Sequence, residues 1–137
     1  MSSIKTTKVK HSKLNEIDFE NLGFGSVFSD HMLVCDYKNG AWGQAEIIPF
    51  QAMSLMPSAK IFHYGQSIFE GMKAYKDSNL NTWLFRPEEN FKRLNKSAKR
   101  LAIPELPEAV FFEGLKALLD VDNDWIPTTA GSSLYIR

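Results

Sequence analysis

Lys73, Arg93, Tyr135 and Arg137 are the side chains whose types and placement invite a chemical reading. A lysine shielded from water can form a Schiff base, which makes Lys73 in "EGMKAY" the obvious nucleophile to test against the pattern around it. In a strand, however, Met72 and Ala74 share one face, while Lys73 goes with Tyr75 on the other. Lys73 therefore reads as a solvated or structural lysine. Arg93 lies between Lys92 and Lys96 and on composition alone belongs to a charged helical face. Tyr135 and Arg137 alternate on one strand face, where a hydroxyl and a guanidinium can line a pocket and fork onto a carboxylate or phosphate. An exposed sheet face would show the same pattern.

Other chemistries have no support. There is no paired-carboxylate spacing, H-E-x-x-H, G-x-S-x-G or G-x-x-x-x-G-K-[ST]. His11, His31 and His63 are far apart, so a metal site would need tertiary convergence, and His63 reads as a satisfied structural histidine. Cys35 stands alone, which excludes a disulfide framework or a C-x-x-C pair and fits a reducing, cytoplasmic compartment. Sixteen basic and sixteen acidic residues cancel, leaving no electrostatic case for nucleic acid. No segment has the roughly 20 apolar residues that a bilayer span requires.

The elements that would position these residues can be read from the pattern. With 44% apolar residues in 137, the chain suits one domain with its own core. Residues 1–20 begin with four lysines and no acid in the first fifteen positions, and they read as a flexible basic arm, with the small domain proper at 21–137. "VFSDHMLVCDY" (27–37), "KNG" and "AWGQAEIIPF" (41–50) predict a hairpin. An irregular stretch broken by Pro57 then leads to a strand at Ile61 and Phe62, and "QSIFE" suits one or two helical turns. "MKAYK" (72–76), "DSNLN" and "TWLFR" (82–86) predict a second hairpin.

From Pro87 the period becomes helical. Phe91, Leu94, Ala98 and Leu101 recur on one face, acids lie in the first turn, and Pro104 is the expected stop. A second stripe, Phe111, Phe112, Leu115, Leu118 and Leu119, predicts another helix, ended by "DVDND". The fold class is α/β in the α+β sense: an antiparallel sheet of two hairpins plus a C-terminal strand, with one face covered by two amphipathic helices. "GSSLYIR" (131–137) is that strand, read as an inner one, and its position at the chain's end suggests part of a larger protein. Within "IFHYGQSIFEGMKAYK" (61–76), spacing alone leaves core and ligand contact both open and favours core for Phe62, Tyr64, Ile68 and Phe69, with Gly65 and Gly71 allowing tight packing.

Taken together, "FGSVFSDHM", "HYGQSIFEGMKAY", "LFRPEENFKRLNKSAKRL", "DWIP" and "GSSLYIR", in this order and spacing, resemble the N-terminal domain of branched-chain amino acid aminotransferases. These are fold-type IV enzymes that use pyridoxal 5'-phosphate, and the resemblance runs from about Phe24 to Arg137. It implies a cofactor-phosphate role for Arg93, a substrate-carboxylate role for Tyr64, and apolar pocket walls at Phe24 and Phe69. Tyr135 and Arg137 then face a pocket that accepts both a branched aliphatic chain and a second carboxylate. The implied substrates are leucine, isoleucine or valine with glutamate and 2-oxoglutarate, in a homodimer. The family's Schiff-base lysine belongs to a second domain outside this chain, so no catalytic residue is expected here and the chain alone is expected to be inactive. Two other readings are a different fold-type IV enzyme, such as a D-amino acid aminotransferase or an aminodeoxychorismate lyase, and a non-catalytic, self-associating fragment.

Overall fold

The computed structural model describes residues 4–137. In chain order the elements are β1 (Lys5–Thr6), β2 (His31–Val34), β3 (Tyr37–Lys38), β4 (Ala41–Trp42), β5 (Glu46–Pro49), α1 (Lys60–Tyr64), β6 (Met72–Lys76), β7 (Thr82–Leu84), α2 (Pro87–Arg100), α3 (Glu108–Val121) and β8 (Leu134–Ile136). This is the mixed α/β class expected.

The first hairpin forms where its turn chemistry demands. Asn39 and Gly40 both take positive φ, 52° and 81°, the two-residue geometry whose twist matches the flanking strands. Next to the turn β3 pairs with β4, and farther out β2 pairs antiparallel with β5. Between the two ladders Gly43–Ala45 oppose Cys35 and Asp36, a bulge closed by the Gly43 N–H donating to the Asp36 carbonyl at 2.7 Å.

The second sheet has the order β7-β6-β8 and is antiparallel throughout. β8 is therefore an edge strand and not the inner strand expected, because β6 takes the central place between its hairpin partner and β8. Ala74, at the centre of β6, is wholly buried. Phe111, Leu115 and Leu119 from α3 close over it with Ile126, while Phe91 and Leu94 from α2 pack at the margin. The rings of Phe91, Phe111 and Phe112 lie 5.0 to 5.5 Å apart.

α3 does not simply share one sheet face with α2, as expected, but also reaches β2 and β5. Gly114 makes this approach possible: a Cβ there would stand 2.7 Å from Leu33 Cδ2. The end of α2 also differs from the sequence reading. Ala102 takes φ of 52°, Leu101 caps the helix, and the Ile103 N–H returns to the Ala98 carbonyl at 2.9 Å, so a left-handed residue turns the chain before Pro104 is reached.

Two further expectations are corrected. Residues 61 and 62 lie in α1 and not in a strand: they pair in none of the sheets of the described residues, and Gly65, at φ 59°, closes the short helix. The "QSIFE" segment forms no helical turn. The segment expected as a basic arm, whose residues 1–3 lie outside the described residues, is largely exposed and makes a few contacts with the fold. β1 runs parallel to the free edge of β5, the Val9 N–H donates to His31 Nε2 at 3.0 Å, and the Lys13 N–H donates to Asp30 Oδ1 at 3.1 Å.

Candidate active site

Strand alternation divides the second sheet into two chemically different faces. Met72, Ala74, Leu134 and Ile136 point to the core, while Lys73, Tyr75, Trp83 and Tyr135 occupy the opposite face, with Lys73 paired across from Tyr135 and Tyr75 from Trp83. Lys73 is exposed, as its alternation predicted.

Tyr135 is held by shape. Its ring lies 5.4 Å from that of Phe24, and it crosses so closely over Gly71 that a Cβ there would fall 2.9 Å from Tyr135 Cζ. Phe24, Gly71 and Tyr135 thus form one apolar corner. Tyr64 and Phe69 are 82% and 75% exposed on the segment leading into β6, and Arg137 is exposed past the end of β8. Among the described residues the rings of Tyr64 and Phe69 make no aromatic pair with Phe24 or Tyr135. The structure also overturns the spacing-based core reading of Phe62, Tyr64 and Phe69, all of which face solvent. Ile68 is half-buried. His63 behaves as a structural histidine, with Nε2 hydrogen-bonded to the Pro57 carbonyl at 2.8 Å.

Arg93 is the best-organised cation. Its Nε donates to Glu70 Oε2 at 3.1 Å and its Nη2 to Glu70 Oε1 at 2.8 Å, a two-point fork. Glu70 is itself fixed, because its Oε1 accepts the Gly71 N–H at 3.0 Å and Asn90 Nδ2 at 3.1 Å. Asn90 is buried and also donates to the Gly71 carbonyl. Sequence reasoning passed over both Glu70 and Asn90. The signal available was the spacing of Asn90 and Arg93, one turn apart on α2 and able to receive the same partner.

This cluster borders an open cleft of about 290 Å³, lined by Lys73, Tyr75, Arg86, Glu89 and Arg93. Glu89 is paired with Lys92 at 2.8 Å, so the cations set the character of the cleft. An arginine fork with an ammonium nearby is a donor set that fits a phosphate group. A second groove, of about 350 Å³, lies between β7 and α3. Its two charged residues, Lys116 and Asp120, pair with each other at 2.5 Å and offer no convergent chemistry.

The Arg93 guanidinium holds the Glu70 carboxyl below the ordinary value of 4.5, helped by the Gly71 N–H and Asn90 against partial desolvation. A depressed carboxylate contributes stability that is present above its unfolded pKa and lost as pH falls through the folded one. The stability difference between the native protein and Glu70→Gln should therefore be constant above about pH 5.5 and shrink below about pH 4.5. Urea unfolding across that range would measure it, and a difference independent of pH would show that the fork contributes nothing. The Cys35 thiol is pushed up by burial and by Asp36, away from the reactive thiolate. Among the described residues no group of His, Cys, Asp or Glu could hold a metal ion, and no helix is long and apolar enough to cross a membrane.

No protein-family model matches the chain. Curated proteins do. It is 50% identical over 121 residues, 88% of its length, to branched-chain-amino-acid aminotransferase 2 of Bacillus subtilis (strain 168). It is 47% identical over 135 residues, 95% of its length, to a probable branched-chain-amino-acid aminotransferase of Staphylococcus epidermidis, and 50% identical over 119 residues to the branched-chain-amino-acid aminotransferase of Mycolicibacterium smegmatis. The chain spans about a third of the length of these relatives: 33%, 37% and 32% respectively.

Proposed function

This chain is a homologue of the branched-chain-amino-acid aminotransferases, matching their N-terminal third, and on that premise we propose that the full-length protein transfers an amino group between leucine, isoleucine or valine and 2-oxoglutarate, using pyridoxal 5'-phosphate. The observation that carries this reading is the 44–52% identity with proteins of that name across most of the chain. The geometry supports it with a cationic cleft beside an apolar corner, on the face of the β7-β6-β8 sheet opposite its core.

In this reading the described residues build one wall of the site. Arg93 anchors the cofactor phosphate from the cleft, since a permanently charged planar fork suits a phosphate better than a mobile ammonium does. Tyr64 binds the substrate carboxylate, Phe24, Phe69 and Tyr135 receive the branched chain, and Arg137 receives the second carboxylate of glutamate. Pyridoxal phosphate, when bound, supplies an electron sink for the substrate carbanion. Lys73 helps to make the cleft positive and takes no covalent part. The exposure of Phe24, Tyr64, Phe69 and Phe85 supports covering of this face by the rest of the protein. The enzyme is proposed to act in the cytoplasm as a homodimer.

Full-length protein supplied with cofactor, leucine and 2-oxoglutarate should form glutamate, and residues 1–137 alone should form none. The same assay with D-alanine or aminodeoxychorismate separates the other fold-type IV activities. Preference for either over all three branched-chain substrates would overturn the assignment, and turnover by residues 1–137 alone would overturn their proposed inactivity.

A further inference from the structure

The Glu70–Arg93 fork has an asymmetry that sets the direction of control. The Glu70 side chain is 15% exposed and that of Arg93 59%, so the acid is the fixed member and the guanidinium the presented one. Besides Arg93, Glu70 accepts the Gly71 N–H and the amide of buried Asn90, which itself donates to the Gly71 carbonyl. A guanidinium has five N–H donors, and Glu70 engages one on Nε and one on Nη2. The three that remain, on Nη1 and Nη2, belong to the edge turned away from the acid. A side chain with four rotatable bonds is thereby held by its inner edge, leaving a fork free for a second anion.

We infer that Glu70, itself set by Asn90, is a positioning residue that holds the Arg93 guanidinium with its outer edge free for a phosphate. This rests on the reading of Arg93 as the phosphate anchor. A carboxylate beside an anion site would repel a phosphate if it only contributed charge. The two-point geometry predicts the opposite sign: removing the acid weakens phosphate recognition, because an untethered arginine must be ordered anew at each binding event. Gln at this position keeps an oxygen for Gly71 and Asn90 but turns an amide NH2 towards the guanidinium, which breaks the fork while sparing its supports.

The test compares pyridoxal 5'-phosphate with pyridoxal, which lacks the phosphate, as absorbance-monitored ligands of the full-length protein. Its readout is the ratio of their dissociation constants, which a general loss of structure would leave unchanged. Arg93→Ala should reduce the preference for the phosphate form on the order of a hundredfold and Glu70→Gln about tenfold. The double variant should be no worse than Arg93→Ala, since Glu70 acts only through Arg93. An unchanged or increased preference in Glu70→Gln, or effects that multiply in the double variant, would overturn the inference while leaving the anchor in place. An unchanged preference in Arg93→Ala would remove the anchor itself, and the inference with it. Should Glu70→Gln not fold, Asn90→Ser withdraws one support and leaves the charge. It should lower the preference about threefold, and no change there would likewise overturn the proposal.

Discussion

Asp122→Ala is expected to lower the folding free energy by roughly 2–6 kcal/mol, the cost of leaving two buried donors without their acceptor. Asp122 caps α3 and is 1% exposed. Its Oδ1 lies 2.6 Å from His31 Nδ1 and its Oδ2 accepts the His31 backbone N–H at 3.1 Å. Because the Val9 N–H donates to His31 Nε2, that nitrogen carries the lone pair, and Nδ1 bears the proton that Asp122 receives. Alanine would leave both His31 donors unsatisfied inside the protein, where each costs about 1–3 kcal/mol. Asp30 sits beside them, accepting Lys13 N–H and Trp125 Nε1, so the loss would reach the arm, β2 and the end of α3 together. Urea unfolding of the full-length protein measures the effect, with Asp120→Ala as control. Asp120 meets Lys116 across one exposed turn, and its loss should cost no more than about 0.5 kcal/mol. Equal midpoints for the two variants would show that the buried network is dispensable.

Gly71→Ala should reduce kcat/KM for branched-chain substrates about a hundredfold, the effect of shifting a substrate-positioning group by about 1 Å. Gly71 has no left-handed φ, so the cost is steric. The new methyl would meet Tyr135 Cε2 and Cζ at 2.9 Å and its hydroxyl closer still. β8 cannot yield as a whole, because Ile136 and Leu134 are paired to Met72 and Ala74 and, half-buried, pack against the core. The ring must therefore rotate, abandoning Phe24 and filling part of the proposed pocket. Overpacking of this kind also destabilises by about 1–3 kcal/mol. Cofactor affinity should change little, since Gly71 keeps its backbone bonds to Glu70 and Asn90. Steady-state kinetics beside cofactor titration would separate these effects, and a loss below about threefold would remove Tyr135 from the pocket wall.

Sequence and structure agree where a local rule sufficed. Asn39-Gly40 had to turn, "MKAYK" had to alternate, and the stripes of Phe91, Leu94 and Ala98 and of Phe111, Leu115 and Leu119 had to face a core. Each is specified by neighbours within a few residues. The segment at 61–70 was misread because a short apolar run has the same composition in a strand, a helix or a coil, and periodicity cannot decide among them. In the arm, lysine content says nothing of the free edge of β5 or of the His31 lone pair that these residues meet. Among the candidate residues, the shared face of Lys73 and Tyr75 was legible through strand period alone, but the register that sets Lys73 opposite Tyr135 was not.

Arg93 marks the boundary between the two kinds of information. Sequence by itself determined that a permanent cation stands on an exposed helical face, within a set of motifs resembling one family. Tertiary structure alone decided that Glu70, 23 positions away, grips its inner edge, that Asn90 fixes Glu70, and that Gly71 admits the ring of Tyr135. Periodicity records what a residue's own helix or strand requires of it. Fork geometry and close approach depend on where separate elements are brought together, and that is set by the packing of the whole core.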